Sequence, residues 1–585
     1  MVRLRQRPHL DNVTFFDNVL HVECRLEEKE AFDSDKEITF LFSPIEPNQP
    51  DDGTIKLGFG EHTSGGEYRH IKPCRVLRSN SKFANDNMGS LESWRRIIEW
   101  MEICDATHEE CSRRRLESSK EPYPTRLLDL GVNGGEEDDP LLGELAHKDT
   151  HGREPCGVSK TFQEAIVVTR KFGIRYLWID SLCIIQECEG SKDDWLHESG
   201  MMDSIYQNSF LNIGATSASD GSRGCFRERN YKKVFQPIFY KPACKLHPDK
   251  YKEPYRLVED SFFEDTILSE PLLQRGWVFQ ERFLSPRMLH FGTEQLFWEC
   301  SQMQVCESYP HHLLKGPPRV ALDRLEPERL SQLHDILIQH QGNYKWHDIV
   351  EEYSLKKLTR GEDKLIALSG VARQYATRML PPDTQYWAGI WATENFPHEL
   401  LWTADDTKAY QSEEWRAPTW SWASLEGKIR GPLGGNFFQT PLTNNVDILM
   451  GLVKLENEFG PFNGGHISLK GKLIYLDVYQ RSDNKYGLSY KGRNLENSLW
   501  YPDERDRVDL SANIVSLSMT AGRDGLVGLT LRREDDESNC YYRTGVFQLW
   551  PEGVRDRAAD WFYREEPFDQ LKGLDSDDAD FVVLI

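Results

Sequence analysis

The chemistry of this sequence begins at a glutamate set in an apolar helical stripe. The segment DWLHESGMMDSIYQNS (194–209) carries apolar residues at Trp195, Met202, Ile205 and Tyr206. Glu198 and Ser199 follow Trp195 by three and four positions and so fall on the same face of a helix. A carboxylate turned toward an interior is costly unless it is paired or has a task. The residue itself leaves two readings: an acid tied to an arginine or to backbone donors, or an acid held for catalysis.

Three further groups bear on that choice. In YLWIDSLCIIQ (176–186) a short apolar run ends at Asp180, where α/β proteins place ligand-binding side chains beyond the carboxyl ends of strands. Asp180 there could position a ribose or a phosphate-bound cation, or cap the following turn. Cys183 lies beside it without a base to activate its thiol, so core packing is its ordinary role. In RGWVFQERFLSPRMLHFG (275–292), Arg275, Trp277, Gln280 and Glu281 combine a cation, an indole, an amide and a carboxylate that could line a nucleotide pocket. Alternatively, Arg275 bridges Glu198 or Glu281 and holds two layers together. Cys104, His108 and Cys111, spaced C-x3-H-x2-C, could offer three zinc ligands. A closed site needs a fourth, and the preceding Cys24 and Cys74 are distant in sequence. Without paired C-x2-C knuckles the expectation is helix-core packing and no metal.

The elements that must position these residues follow from periodicity. Trp94, Ile97, Ile98, Met101, Cys104, His108 and Cys111 predict one helix face, and RLLDLG (126–131) a strand ending in a turn. Residues 132–159, rich in Gly, Asp, Glu and Pro, predict a solvated loop. Thr161 and Glu164 fit a capping box that opens a helix, and Gly173 supplies its left-handed stop. A second helix over 193–207 and strand-like SFLNIGA (209–215) continue an alternation that predicts a parallel sheet. MLHFGTEQLFWEC (288–300) then predicts a strand or hairpin. Helical and aromatic-rich segments follow, and short alternating runs from residue 446 onward predict a β-rich C-terminal part.

The blocks 176–186, 194–209 and 275–292, in that order, resemble the heterokaryon incompatibility (HET) domain, a fungal module of self/non-self recognition and programmed cell death. That resemblance implies an α/β domain with a parallel, TIR- or flavodoxin-like sheet over 132–300. It would be flanked by a mixed segment over 1–131, a connecting region over 301–430 and β structure over 431–585. HET domains look like distant relatives of TIR domains, several of which cleave NAD+ with a helix-borne glutamate beside a parallel-sheet pocket. The implied roles are Glu198 on the ribose hydroxyls, with Asp180 and Glu281 assisting. Arg275, Trp277, Gln280, Cys183 and Trp195 would be in contact with the nucleotide. NAD+ enters as substrate, and no cofactor is assigned. The chain departs from the family in lacking a Y-x-A-L-S-x-x-W-G strand before the helix at Thr161, so the first sheet strand is expected to be deleted or replaced. The alternative is a non-catalytic module acting through self-association or partner binding.

Composition narrows the partners. The net charge of −23 is spread over 585 residues without a basic stripe, which disfavours nucleic acid as a partner. No apolar run is long enough to span a bilayer. The start MVRLRQRPHLDN lacks the apolar core of a signal peptide, and the 12 scattered cysteines suit reduced, cytoplasmic thiols. No phosphate loop, G-x-G-x-x-G fingerprint, H-E-x-x-H helix or G-x-S-x-G elbow is present.

Overall fold

The computed structural model describes residues 86–109, 111–112, 124–131, 158–186, 190–230, 264–310, 346–393, 396–405, 409–433, 464–471, 473–481, 485–504, 514–522, 525–535, 538–549 and 580–585. It also describes residues 459–460 and 508 and short strands within 15–75, 239–259 and 440–441. The expected loss of a strand between Gly131 and Thr161 falls almost wholly outside these residues. The chain divides into two compact units. One comprises residues 1–274 and 285–323, the other residues 275–284 and 324–585.

In the first unit, helix α1 (Leu91–Thr107) opens at Ser90, whose hydroxyl accepts the Ser93 amide, and buries Trp94, Ile97, Trp100, Met101 and Cys104. The single long face expected to reach Cys111 is interrupted. His108 leaves helical geometry (φ −102, ψ 96) while its amide still bonds the Cys104 carbonyl, so Cys111 lies in a further, redirected turn. Strands β1 (Leu128–Asp129) and β2 (Tyr176–Leu177) form a short antiparallel pair. Between them runs helix α2 (Lys160–Lys171), stopped at Gly173 with φ 69. Its cap is Ser159, which accepts from the Phe162 amide at 3.4 Å, rather than the expected Thr161. Thr161 donates instead to the Gly221 carbonyl, and Glu164 accepts the amides of Cys225 and Phe226 at 2.5 and 2.8 Å.

Helices α3 (Asp180–Cys183) and α4 (Ser191–Gln207) follow β2, and β3 (Asn212–Gly214) enters a four-stranded sheet ordered β6–β5–β4–β3. Strand β4 (Arg287–Phe291) runs parallel to β3 and antiparallel to β5 (Leu296–Cys300), which pairs antiparallel with β6 (Gln304–Cys306). The sheet is therefore mixed. Of the strand or hairpin expected over 288–300, the hairpin forms, and β2, half-exposed at Tyr176, pairs outside this sheet. Every residue of β4, β5 and β6 is buried, and Leu289, Phe291, Trp298 and Val305 share a core with the α1 stripe. Each large apolar side chain so buried contributes about 1.5–3 kcal/mol before entropy is counted.

In the second unit, α5 (Gly276–Leu284) packs on α7 (Ile366–Met379), with α6 (Trp346–Ser354) preceding it in sequence. Trp346, Tyr375, Tyr386 and Trp391 form an aromatic cluster with ring centroids 4.6–6.0 Å apart. The C-terminal strands β7 (Leu473–Gln480), β8 (Tyr486–Tyr490), β9 (Arg493–Pro502), β10 (Ile514–Gly522), β11 (Gly525–Arg533) and β12 (Cys540–Leu549) pair antiparallel in a closed circuit β7–β8–β9–β12–β11–β10–β7. Closure removes the sheet edges, and alternate residues such as Leu476, Val478, Leu488, Leu526 and Phe547 fill the interior. Gly528 has no room for a side chain, because a Cβ there would meet the Leu517 carbonyl oxygen and the Phe547 ring.

Candidate functional site: a buried carboxylate on helix α4

Helix α4 begins at Gly190, which supplies the left-handed conformation (φ 85) that turns the chain into it, with Asp193 and Asp194 in the first turn. Its inner face buries Glu198, Ser199, Met202, Asp203 and Ile205, so the inward placement of Glu198 follows the apolar periodicity. Glu198 is 0% exposed, and among the described residues neither carboxylate oxygen has a hydrogen-bond partner. Among the described residues, the cation within ion-pair distance is Arg126, with Nη2 3.7 Å from Oε1. A buried acid supported by one distant ion pair and no donor carries most of its desolvation cost uncompensated.

Arg126 organises the surroundings. Its Nε donates to the Cys183 carbonyl at 2.6 Å, and its Nη2 donates to both oxygens of Asp194 at 2.6 and 2.5 Å. Asp194 also accepts the Ile185 amide at 2.8 Å. Burial pulls its carboxyl upward, but Arg126, the Ile185 amide and His197 outweigh it and hold Asp194 below the usual carboxylate range. The segment 183–185, the start of α4 and Glu198 are thus tied to one guanidinium. Sequence reasoning missed Arg126 and Asp194 as members of this site. The available signal was a lone cation ahead of the apolar run LLDL, with nothing in its spacing to name its partner.

The other residues singled out from sequence divide between the units. Asp180 is exposed at the first position of α3, where its carboxylate accepts the amide of the adjacent Ser181 at 2.6 Å, and the helix has no side-chain cap. Cys183 is buried, and burial pushes its thiol above the usual range, away from nucleophilic character. Trp195 is half-buried on α4. Arg275, Trp277, Gln280 and Glu281 belong to the second unit. There the backbone of Arg275 bridges Lys357, Trp277 Nε1 donates to Asp363 at 3.2 Å, and Gln280 Oε1 accepts the Gly370 amide at 2.7 Å. Arg275 is exposed and Glu281 half-buried. Burial raises the Asp363 carboxyl even though the Trp277 indole opposes the shift. Among the described residues, the cation within ion-pair distance of Glu198 is Arg126.

A second polar network lies in the sheet of the first unit. Thr216 Oγ1 and His290 Nδ1 are 3.0 Å apart, and His290 Nε2 lies 2.8 Å from Glu299, which accepts from Gln304 at 2.8 Å. All four residues are completely buried, so the network satisfies the sheet interior rather than a ligand.

Helix α4, the Arg126 partners Cys183 and Asp194, and the start of α5 fall within a segment that matches a known family. The family model for heterokaryon incompatibility protein (HET) matches residues 135–281, and the chain therefore carries a heterokaryon incompatibility domain. The match begins in the polar sequence stretch 132–159 and ends at Glu281. No curated protein and no solved structure matches the chain. Among the described residues, no helix is long and apolar enough to cross a membrane.

Proposed function

We propose that this chain is an effector of fungal self/non-self recognition and cell death, and that its HET segment acts by hydrolysing the N-glycosidic bond of NAD+ at Glu198. The observation that carries the reading is a completely buried glutamate, on a helix of the matched segment, whose two oxygens have no hydrogen-bond donor among the described residues. Structural carboxylates are normally satisfied, and an unsatisfied one is available to ribose hydroxyls. In the reaction, water adds at the anomeric carbon as the bond to nicotinamide breaks. ADP-ribose, nicotinamide and a proton result. The carboxylate orients the sugar and stabilises the oxocarbenium-like charge as the leaving group departs. Because Glu198 is completely covered, this reading requires that assembly uncover the acid before it meets the sugar.

A second reading is favoured by a separate observation. Leu182 on α3 and Leu196 on α4 are 45% and 50% exposed, a pair of apolar side chains suited to self-association or partner binding without chemistry. One experiment separates the two. Purified full-length protein, dilute and then concentrated to drive assembly, is incubated with NAD+ and nicotinamide release is measured. The enzyme reading expects turnover in the assembled protein and a loss of at least a hundredfold in Glu198→Gln with assembly intact. Assembled wild type that releases no nicotinamide would leave the interaction module standing.

A further inference from the structure

Outside the segment matched to the HET family, the first unit gathers four metal-ligating side chains that lie far apart in the sequence. Cys104 in the last turn of α1, His108 at its end, Cys111 in the following turn and Cys300 at the end of β5 bring their ligand atoms to within 4.8 Å of one another. His108 Nδ1 is 3.3 Å from Cys300 Sγ and 4.0 Å from Cys111 Sγ. A tetrahedral zinc ion with Zn–S of about 2.3 Å and Zn–N of about 2.0 Å sets N···S at roughly 3.5 Å and S···S at roughly 3.8 Å. The two observed N···S separations bracket the first value.

We propose that Cys104, His108, Cys111 and Cys300 form a closed Cys3His site that takes one Zn2+ ion and staples α1 to the β4–β5 hairpin. The fourth ligand, which the C-x3-H-x2-C spacing alone could not identify, is Cys300, and it replaces the expectation of no metal. The ligand set has the composition of a structural zinc site, and its burial leaves no open coordination position. Cys104 and Cys300 are 0% exposed and Cys111 is 2% exposed. The break in α1 at His108 has a purpose on this reading, because a continuous helix would carry the chain past the ion. A disulfide would use two of the three thiols and leave His108 and the remaining cysteine idle, whereas an ion uses all four groups.

The surroundings suit the charge. Zn2+ with three thiolates and a neutral imidazole carries one net negative charge, the thiol protons leaving to solvent as the ion binds. Arg287 on β4 stands directly across from Cys300 in the hairpin register, within electrostatic reach of Cys104, and its side chain is 3% exposed. It also reaches Asp105 and, at 3.3 Å, Met101 Sδ. A buried cation beside the thiolates offsets the charge of the loaded site. The ligands come from before and after the matched segment, so the ion would clamp the elements that flank it.

Elemental analysis of full-length protein purified without chelators tests this. One equivalent of zinc per chain is expected, with replacement by Co2+ giving the visible bands of a tetrahedral ion and thiolate charge transfer in the near ultraviolet. Cys300→Ser should lose most of the zinc, and Cys306→Ser, a buried thiol outside the cluster, should keep it. If Cys300→Ser does not fold, alkylation of the wild type replaces it. Zinc should shield Cys104, Cys111 and Cys300, and a chelator should expose all three. Folded wild type that takes up no metal, or labelling of these three thiols that zinc leaves unchanged, would overturn the proposal.

Discussion

Arg126 holds both oxygens of Asp194 with the same guanidinium nitrogen that stands 3.7 Å from Glu198 Oε1. One cation serves two carboxylates unequally. Asp194, with an extra donor from the Ile185 amide, has the closer share, and Glu198 is left with Coulombic support alone. Removing Arg126 therefore uncouples the 183–185 segment from α4 and leaves Glu198 without its nearest counter-charge. Because the Arg126 side chain is 37% exposed, solvent screens part of this effect, and Arg126→Ala should cost about 1–2 kcal/mol. Adding Glu198→Gln to that variant should recover part of the loss. A double-mutant cycle by denaturant unfolding measures the coupling, and strict additivity would argue that Arg126 supports only Asp194.

Lys364 gives the second unit a pH dependence of definite sign. Burial, reinforced by the Arg416 charge and opposed by Glu426, lowers its amine from 10.5 to about 7. The folded state then binds fewer protons than the unfolded state between those values, so stability rises with pH across the window and the penalty is full below about 7. Burial raises the phenols of Tyr353, Tyr375 and Tyr386, which act in the opposite direction above about pH 10. Unfolding free energy should therefore increase by about 2–3 kcal/mol from pH 7 to 9. Lys364→Met should flatten that rise, as urea titrations at three pH values would reveal.

The tryptophan-containing block of α5 should behave as structure. Gln280 is 1% exposed and its side-chain oxygen accepts the Gly370 amide. Gln280→Leu leaves that amide without its acceptor and should destabilise the second unit by about 1–3 kcal/mol. The check is a thermal melt beside an NAD+ assay scaled to folded protein, with the assay expected to stay unchanged. A selective loss of activity at full stability would move this block into the site.

At the barrel, Gly528→Ala should cost about 1–3 kcal/mol, because the obstacle includes the backbone carbonyl of Leu517, which cannot rotate aside. Amide exchange should show faster opening of β10 and β11, and unchanged exchange there would contradict the close approach.

What the sequence made legible was local. The 3.6-residue period placed Glu198 inward and the Trp94 stripe in a core, and the change of pattern over 288–300 marked a strand or hairpin, because each depends on neighbours within a few residues. What stayed hidden was long-range. Arg126 reaches Glu198, and Cys300 reaches His108, only after the chain folds back, and no spacing rule encodes such a return. Thr161, expected as the cap, lies inside the first turn with its hydroxyl donating to the Gly221 carbonyl, and the cap is Ser159. The parallel sheet inferred from helix–strand alternation is a mixed one, since β4 pairs with its hairpin partner β5 as well as with β3.

On the proposed function, Glu198 serves a task and not the fold. Its melting temperature against a Glu198→Met variant tests this most directly, because Met removes the charge while keeping the length and apolar packing of the side chain. An acid held at a cost predicts that Glu198→Met is more stable than the wild type, by about 1–3 kcal/mol, while Arg126 remains on Asp194. A clear fall in stability would mean that the carboxylate holds the fold together, and the account of Glu198 as a functional acid would be wrong.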